Sequence, residues 1–303
     1  MPTAKANGLT IAYETAGDPR DPTILLVMGL GAQLTLWPDA FIAALAANGL
    51  HVVRYDNRDV GLSSDFDSAG AVDMSEVMMK ALAGKPLSPP YTIADMAADG
   101  IGLLDALGIG SAHVVGLSMG GMIVPHMAVT HAERVRSMTV VMSSSGRRGL
   151  PPGKPEAVKM LMTRPMSDDR AEILRHGMAL RRAIAGPAYP QEDDALRATV
   201  ERQVDRRYYP QGVSRQYYAV LADGDRTQML KSVKVPTLVI HGSDDPLLPV
   251  ECGRDVAAAV PGAAMHEEPG MGHEIPGALC QSLAERIAAH CKAAAPPRSV
   301  AAE

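Results

Sequence analysis

Through most of this chain, short apolar runs alternate with longer stretches in which apolar positions recur every three or four residues. Residues 9–15 alternate polar and apolar and stop at Gly17-Asp18-Pro19, whereas residues 23–28 are apolar without interruption between Pro22 and Gly29. An uninterrupted run of that length fits a strand buried on both faces, as in a parallel sheet. Residues 37–48 then show helical periodicity and end at Asn48-Gly49, a C-terminal stop signal. A strand at 51–55 follows, and later a helix at 91–107, with Thr92 as N-cap, Asp95 three residues on and Gly108 as stop. A strand at 112–116 runs directly into a helix that ends near Thr130, and a β-branched run occupies 135–142. The order strand 237–242, helix 250–260, strand 263–267 and helix 275–291 completes the rhythm. Strands alternating with helices predict a mostly parallel sheet covered on both faces.

Two segments break this rhythm. Residues 66–90 read as an irregular Gly/Pro/Ser-containing insertion that includes Met74, Met78 and Met79. Residues 147–231 are helix-rich without a convincing strand, and they carry sixteen of the 29 Lys and Arg against eleven of the 34 acids. The segment is therefore +5 and the remainder −10, so the chain changes character at both boundaries. An inserted helical block between two halves of a parallel sheet reads as a cap, or lid, over a core made of residues 1–146 and 232–303. Unbranched thioethers at Met160, Met162, Met166 and Met178, with those of the earlier insertion, suggest an adaptable apolar pocket beneath it. Residues 293–303, with Pro296-Pro297 and small side chains, read as a disordered tail.

Composition narrows the function classes. A chain of 303 residues with 47% apolar positions can build one large α/β domain or two small ones. A net charge of −5 gives no reason to expect nucleic acid or an anionic membrane as partner. Aromatic residues at 4% are too few for a groove that stacks bases or sugars. The longest apolar stretch, 24–32, is too short to span a bilayer, and the first ten residues lack the apolar core of a secretory signal. Cys252, Cys280 and Cys291 show neither metal spacing nor a disulfide framework. The expectation is a reduced, cytoplasmic protein without a metal site, monomeric or homodimeric, whose partner is a small molecule.

The chemistry concentrates in a few short blocks. Gly116-Leu117-Ser118-Met119-Gly120 has the spacing G-x-S-x-G and lies between a strand and a helix. A serine lifted out of a sheet on so sharp a turn needs tiny neighbours, which Gly116 and Gly120 supply, and the helix N-terminus behind it favours negative charge. Such a nucleophile needs a carboxylate and then a histidine later in the chain. After the strand at 237–242 comes Ser243-Asp244-Asp245-Pro246; Asp245, held extended by the following proline, is the preferred acid and Asp244 its rival. The loop 143–146, Ser-Ser-Ser-Gly, offers no carboxylate as an alternative. His273, in Gly270-Met271-Gly272-His273, is the preferred base, and His241 is the weaker candidate because it precedes the acid. Two backbone N–H groups would face the developing oxyanion, those of Met119 and Leu30, with Gly29 allowing the close approach.

These blocks resemble the α/β-hydrolase superfamily over nearly the whole length. Met28-Gly29-Leu30 stands where many members carry His-Gly-x, and residues 54–63, RYDNRDVGLS, are similar to the family's D-x-R-G-x-G-x-S stretch. The stretch departs at Asp59, where glycine is common, and reads as structural. With Trp37-Pro38, the set is similar to a bacterial branch that includes aclacinomycin methylesterase-like carboxylesterases. The resemblance implies an eight-stranded, mostly parallel sheet, no cofactor, and hydrolysis through an acyl-enzyme. Short-to-medium apolar esters are the expected substrates. Perhydrolase, C–C hydrolase and aminopeptidase chemistry share the same site, and a ligand receptor could retain it.

Overall fold

A computed structural model of the chain describes residues 1–294. Eight strands form one sheet: β1 (Thr3–Ala6), β2 (Leu9–Ala16), β3 (Thr23–Val27), β4 (His51–Tyr55), β5 (Ala112–Leu117), β6 (Val135–Val141), β7 (Thr237–Gly242) and β8 (Ala264–Glu268). Their spatial order is β1-β2-β4-β3-β5-β6-β7-β8. Only the β1–β2 and β2–β4 pairs are antiparallel; the other five are parallel. The alternation visible in the sequence therefore gives the expected sheet. The first strand is an addition to it. It turns back at Asn7 (φ 48°) and Gly8 (φ 78°), whose consecutive positive φ values are those of a type I′ hairpin. The Asn-Gly pair is the sequence signal for that turn.

The sheet is buried on both faces because its side chains alternate between two cores. Leu25 and Val27 of β3 join Val53, Tyr55 and the apolar faces of α3 (Ile93–Ala106) and α4 (Gly120–Thr130). Ile24 and Leu26 point the other way, to Trp37, α1 (Asp39–Ala47) and α11 (Cys280–Ala293). The start of α3 is fixed as its sequence indicates. Thr92 Oγ1 accepts from Asp95 N–H, and the Asp95 carboxylate accepts from Thr92 N–H. The expected tail begins one residue inside this last helix, at Ala293, and from residue 295 onward lies outside the described residues.

The segment expected to be irregular, 66–90, contains a helix, α2 (Met74–Leu82). Asp73 caps it by accepting from Ser75 N–H (2.9 Å) and Glu76 N–H (3.2 Å), and Glu76 pairs with Lys80 one turn on. Between β6 and β7 lie α5 (Pro155–Met162), α6 (Arg170–Ile184), α7 (Asp193–Arg207), α8 (Pro210–Asp223) and α9 (Thr227–Leu230). The first four sit over the C-terminal ends of the strands, whereas α9 packs on α4 and on α10 (Val250–Ala259). Among the described residues no helix is long and apolar enough to cross a membrane.

Candidate active site

Strand order reverses at β3 and β5, which lie side by side with their onward connections running to opposite edges of the sheet. In open α/β sheets, that reversal leaves a crevice beyond the carboxyl ends of the strands. Ser118 follows β5 directly, and the Met28–Gly31 loop follows β3, so both border this crevice. Ser118 has φ 55°, a left-handed conformation that costs a non-glycine residue roughly 1–3 kcal/mol. The surroundings hold it there. Ser118 N–H donates to Val141 O (2.9 Å), and Ser143 Oγ–H donates to Ser118 O (2.7 Å).

The glycines around the turn are required by contact. A Cβ on Gly116 would collide with the Gly120 carbonyl, and one on Gly120 with the Val27 carbonyl. A Cβ on Gly29 would lie 3.1 Å from Ser118 Cβ and 3.2 Å from Leu117 O, which shows how closely the β3 loop approaches the serine. Among the described residues, neither Leu30 N–H nor Met119 N–H has an acceptor. Two donors at the mouth of the turn are therefore uncommitted, and Met119 sits at the N-terminus of α4, where the helix dipole also favours an anion.

His273 and Asp245 reach the serine from the loops after β8 and β7. His273 is 6% exposed, and its N–H is held by Ile184 O at 2.8 Å. Its Nδ1 lies 2.7 Å from Asp245 Oδ2 and its Nε2 2.9 Å from Ser118 Oγ. A carboxylate can only accept, so Nδ1 carries the proton and Nε2 is left to accept from the serine hydroxyl. Asp245 is 5% exposed, and its other oxygen accepts from Leu247 N–H (2.8 Å) and Leu248 N–H (2.9 Å). The turn-capping role and the histidine contact are thus served by the two oxygens of one carboxylate. Burial alone would raise the Asp245 pKa. The His273 imidazole beside it, with hydrogen bonds from His241 and His273, nevertheless holds it well below the usual carboxylate range. Asp244 is exposed and accepts only from its neighbour Ser243, at 2.6 Å. His241 makes no hydrogen bond to Ser118; its Nε2 lies 2.7 Å from Leu248 O and 3.4 Å from Asp245 Oδ2.

A cavity of about 1410 Å³ opens above these groups, bounded by Ser118, His273, Leu30 and Met119 below and by α5–α8 above. Of the methionines expected there, Met74 of the earlier insertion and Met162 of the 147–231 segment line it, whereas Met78, Met79, Met160, Met166 and Met178 do not and Met166 is 93% exposed. Leu161, Ile173, Leu180, Val213 and Tyr217 supply the apolar roof instead. Several residues of the site carry no sequence signal. Gln216 of α8, fully buried, accepts from Gly31 N–H (2.8 Å) and donates to Arg58 O (2.7 Å), tying the β3 loop to the roof. Glu274, next to His273, lines the cavity at 6% exposure, with neither carboxylate oxygen hydrogen-bonded among the described residues. Arg181 of α6 lines the same cavity; burial pulls its pKa down, and the charge of Glu274 opposes that shift.

Asp59, at a position where the family commonly carries glycine, has φ 66° and is fully buried. The strain is offset by an ion pair with Arg215 of α8 (2.7 Å) and by hydrogen bonds from Tyr91 O–H and Phe66 N–H. Among the described residues, no group of three or more His, Cys, Asp or Glu is placed to hold a metal ion. The three cysteines are buried thiols without a disulfide.

Comparison with known proteins places this geometry in context. The family described as alpha/beta hydrolase fold matches residues 22–276. A rhodomycin D methylesterase of Streptomyces peucetius is 29% identical, over 97% of this chain and 99% of the relative. A 2-hydroxy-6-oxononadienedioate/2-hydroxy-6-oxononatrienedioate hydrolase of Burkholderia vietnamiensis is 26% identical, over 88% and 85%. The crystal structure of an enol-lactonase from Burkholderia xenovorans superposes with a TM-score of 0.72 at 25% identity, covering 96% of this chain and all of the other.

Proposed function

The chain belongs to the alpha/beta hydrolase fold family, and from that membership we propose that it is a serine carboxylic ester hydrolase with Ser118 as nucleophile. Support comes first from one observation, the continuous hydrogen-bonded series Asp245–His273–Ser118, with contacts of 2.7 and 2.9 Å, built on a strained turn. In this mechanism His273 Nε2 takes the Ser118 proton as Oγ attacks the ester carbonyl. Negative charge gathers on the former carbonyl oxygen and is met by the N–H groups of Leu30 and Met119. Asp245 stabilises the imidazolium, which then gives its proton to the departing alkoxide and leaves an acyl-serine. Water repeats the sequence: His273 takes its proton, the hydroxide oxygen attacks the acyl carbon, and the proton returns to Ser118 Oγ as the acid leaves.

The helices of segment 147–231 act as the cap in this proposal, and the cavity beneath them bears on the substrate. Ordinary small-molecule sites enclose roughly 300–1,000 Å³, so about 1410 Å³ exceeds what a short acyl chain needs. A relative is named a rhodomycin D methylesterase, and a methyl ester, with its small alcohol, leaves a cavity of this size free for a bulky acid. We assign this chain to esters of that shape, with the short-to-medium apolar esters expected from sequence as lesser substrates. C–C hydrolysis is the second reading, favoured by the likeness to the Burkholderia hydrolase.

Ser118→Ala tests the proposal. Turnover of an aryl ester should fall by about 10⁴-fold or more with the fold intact, and a fluorophosphonate probe should label the parent at Ser118 alone. Turnover within tenfold of the parent would remove Ser118 from the chemistry.

A further inference from the structure

His241 is not the base, since it is His273 whose Nε2 meets Ser118 Oγ and His241 makes no contact with that hydroxyl. It is nonetheless fully buried, and its environment is specific. Its Nε2 lies 2.7 Å from Leu248 O and 3.4 Å from Asp245 Oδ2. A carbonyl oxygen only accepts, so Nε2 carries the ring proton, and that N–H is directed at Leu248 O with Asp245 Oδ2 close beside it. Nδ1 has no hydrogen-bond partner among the described residues. The ring is covered by α10 at Gly253, where a Cβ would come within 2.8 Å of the His241 Cγ. A glycine at 253 is thus what lets the helix lie against the imidazole.

Leu248 is the pivot of this arrangement. Its N–H holds Asp245 Oδ1 at 2.9 Å, and its carbonyl is held by His241. One residue's backbone therefore transmits the position of a strand residue to the carboxylate that orients His273. From these contacts we infer that His241 is a positioning residue for the hydrolytic site: its Nε2–H fixes the 245–248 turn and so aims the Asp245 carboxylate at His273. The inference rests on the proposed roles of Ser118, His273 and Asp245. A role confined to filling space would need the ring's volume but not its proton; the positioning role needs a donor at the place of Nε2.

That distinction sets the experiment, run on hydrolysis of 4-nitrophenyl butyrate by the full chain. His241→Leu should lower kcat by about 10- to 100-fold with KM within about threefold, because the defect lies in orienting the base and not in binding. His241→Gln, whose amide N–H reaches the Nε2 position, should recover most of that loss, and His241→Asn, whose amide lies near Nδ1, should not. In an Asp245→Asn background, His241→Leu should add little, since the carboxylate it aims is gone. Should the leucine variant fail to fold, the glutamine and asparagine pair carries the comparison. Equal activity of these two, or a leucine variant with the parent kcat, overturns the inference. A Ser118→Ala control that stays active sinks the underlying site assignment, whatever the His241 series shows.

Discussion

Replacing Asp245 by asparagine keeps shape and volume while removing a charge, and the contacts around it foretell how the site would respond. Oδ1 accepts from Leu247 N–H and Leu248 N–H, so the amide of an asparagine would turn its oxygen to those two donors. Its NH₂ would then occupy the place of Oδ2, 2.7 Å from His273 Nδ1. A donor there demands that Nδ1 accept, which moves the imidazole proton to Nε2, 2.9 Å from Ser118 Oγ. Nε2 would face the serine as a donor and could not take its proton. The stabilising charge beside the imidazolium is lost as well. For this wrong-tautomer substitution in a serine hydrolase site, kcat falls on the order of 10⁴-fold, or about 5.5 kcal/mol of barrier. We expect a kcat lower by about 10³–10⁴ with KM changed little, measured by aryl ester turnover at neutral pH. Asp244→Asn, in an exposed side chain bound only to Ser243, should stay within about threefold of the parent. A smaller loss at Asp245 than at Asp244, or a loss below tenfold at Asp245, would refute the tautomer argument.

Two further outcomes follow from the cavity and from a buried histidine. Methyl esters of bulky apolar acids should give a higher kcat/KM than methyl esters of two- to four-carbon acids, by at least tenfold in a direct comparison; a preference for the short acids would mean that the roofed volume does not hold the acyl group. His113, 2% exposed and bonded to Ser137 Oγ at 2.8 Å, has its pKa pushed down by burial to about 4. The unfolded chain binds this proton more readily than the folded one between about pH 6.5 and 4, so stability falls as pH falls through that window. The loss is up to about 3 kcal/mol from this one site, at roughly 1.36 kcal/mol for each tenfold change in proton affinity. Urea midpoints of His113→Gln should depend less on pH over that range than those of the parent, and parallel pH curves would exclude His113 as the source.

The parts of the molecule that can be read from sequence are those decided by local sterics and periodicity. Gly116 and Gly120 are dictated by carbonyl oxygens that leave no room for a Cβ, and such a constraint appears as a fixed spacing in the chain. The strand-and-helix rhythm is legible because burial on both faces demands continuous apolar runs, as in β3. The α2 helix is legible too, since Met74, Val77, Met78 and Ala81 recur at helical spacing on its inner face behind the Asp73 cap, but the run is short and the Gly, Pro and Ser around it read as an irregular loop. The methionines of the 147–231 segment mislead for a related reason. Composition gives no direction, and Met166 faces solvent while leucine, isoleucine and valine far outnumber the single methionine, Met162, in the roof. Glu274, Arg181 and Gln216 meet the site only through folding, from positions far apart in sequence or without a motif, and nothing local marks them.

The ties between roof and floor lead to a last physical consequence. Gly31 N–H, one residue from Leu30, is bound to Gln216 Oε1 of α8, and Gln33 donates to the Gln203 and Arg207 carbonyls of α7. Arg215, beside Gln216, carries the buried ion pair to Asp59, and Arg206 of α7 pairs with the buried Asp56, which in turn accepts from Leu34 N–H. Apart from the Leu34–Asp56 bond, which joins two loops, each of these contacts joins a helix over the cavity to a loop at the carboxyl end of β3 or β4. Separating α8 from the core would leave Arg215 and Asp59 as uncompensated buried charges, at a cost of several kcal/mol. The two helices above the β3 loop are therefore anchored, and the geometry of the Leu30 N–H depends on them through Gly31. By contrast, α5 and α6 make no such buried pair with the core among the described residues. The end of α6 is tied instead to the histidine loop, because Ile184 O accepts from His273 N–H at 2.8 Å, so displacing α6 would move the proposed base before it moved the β3 loop.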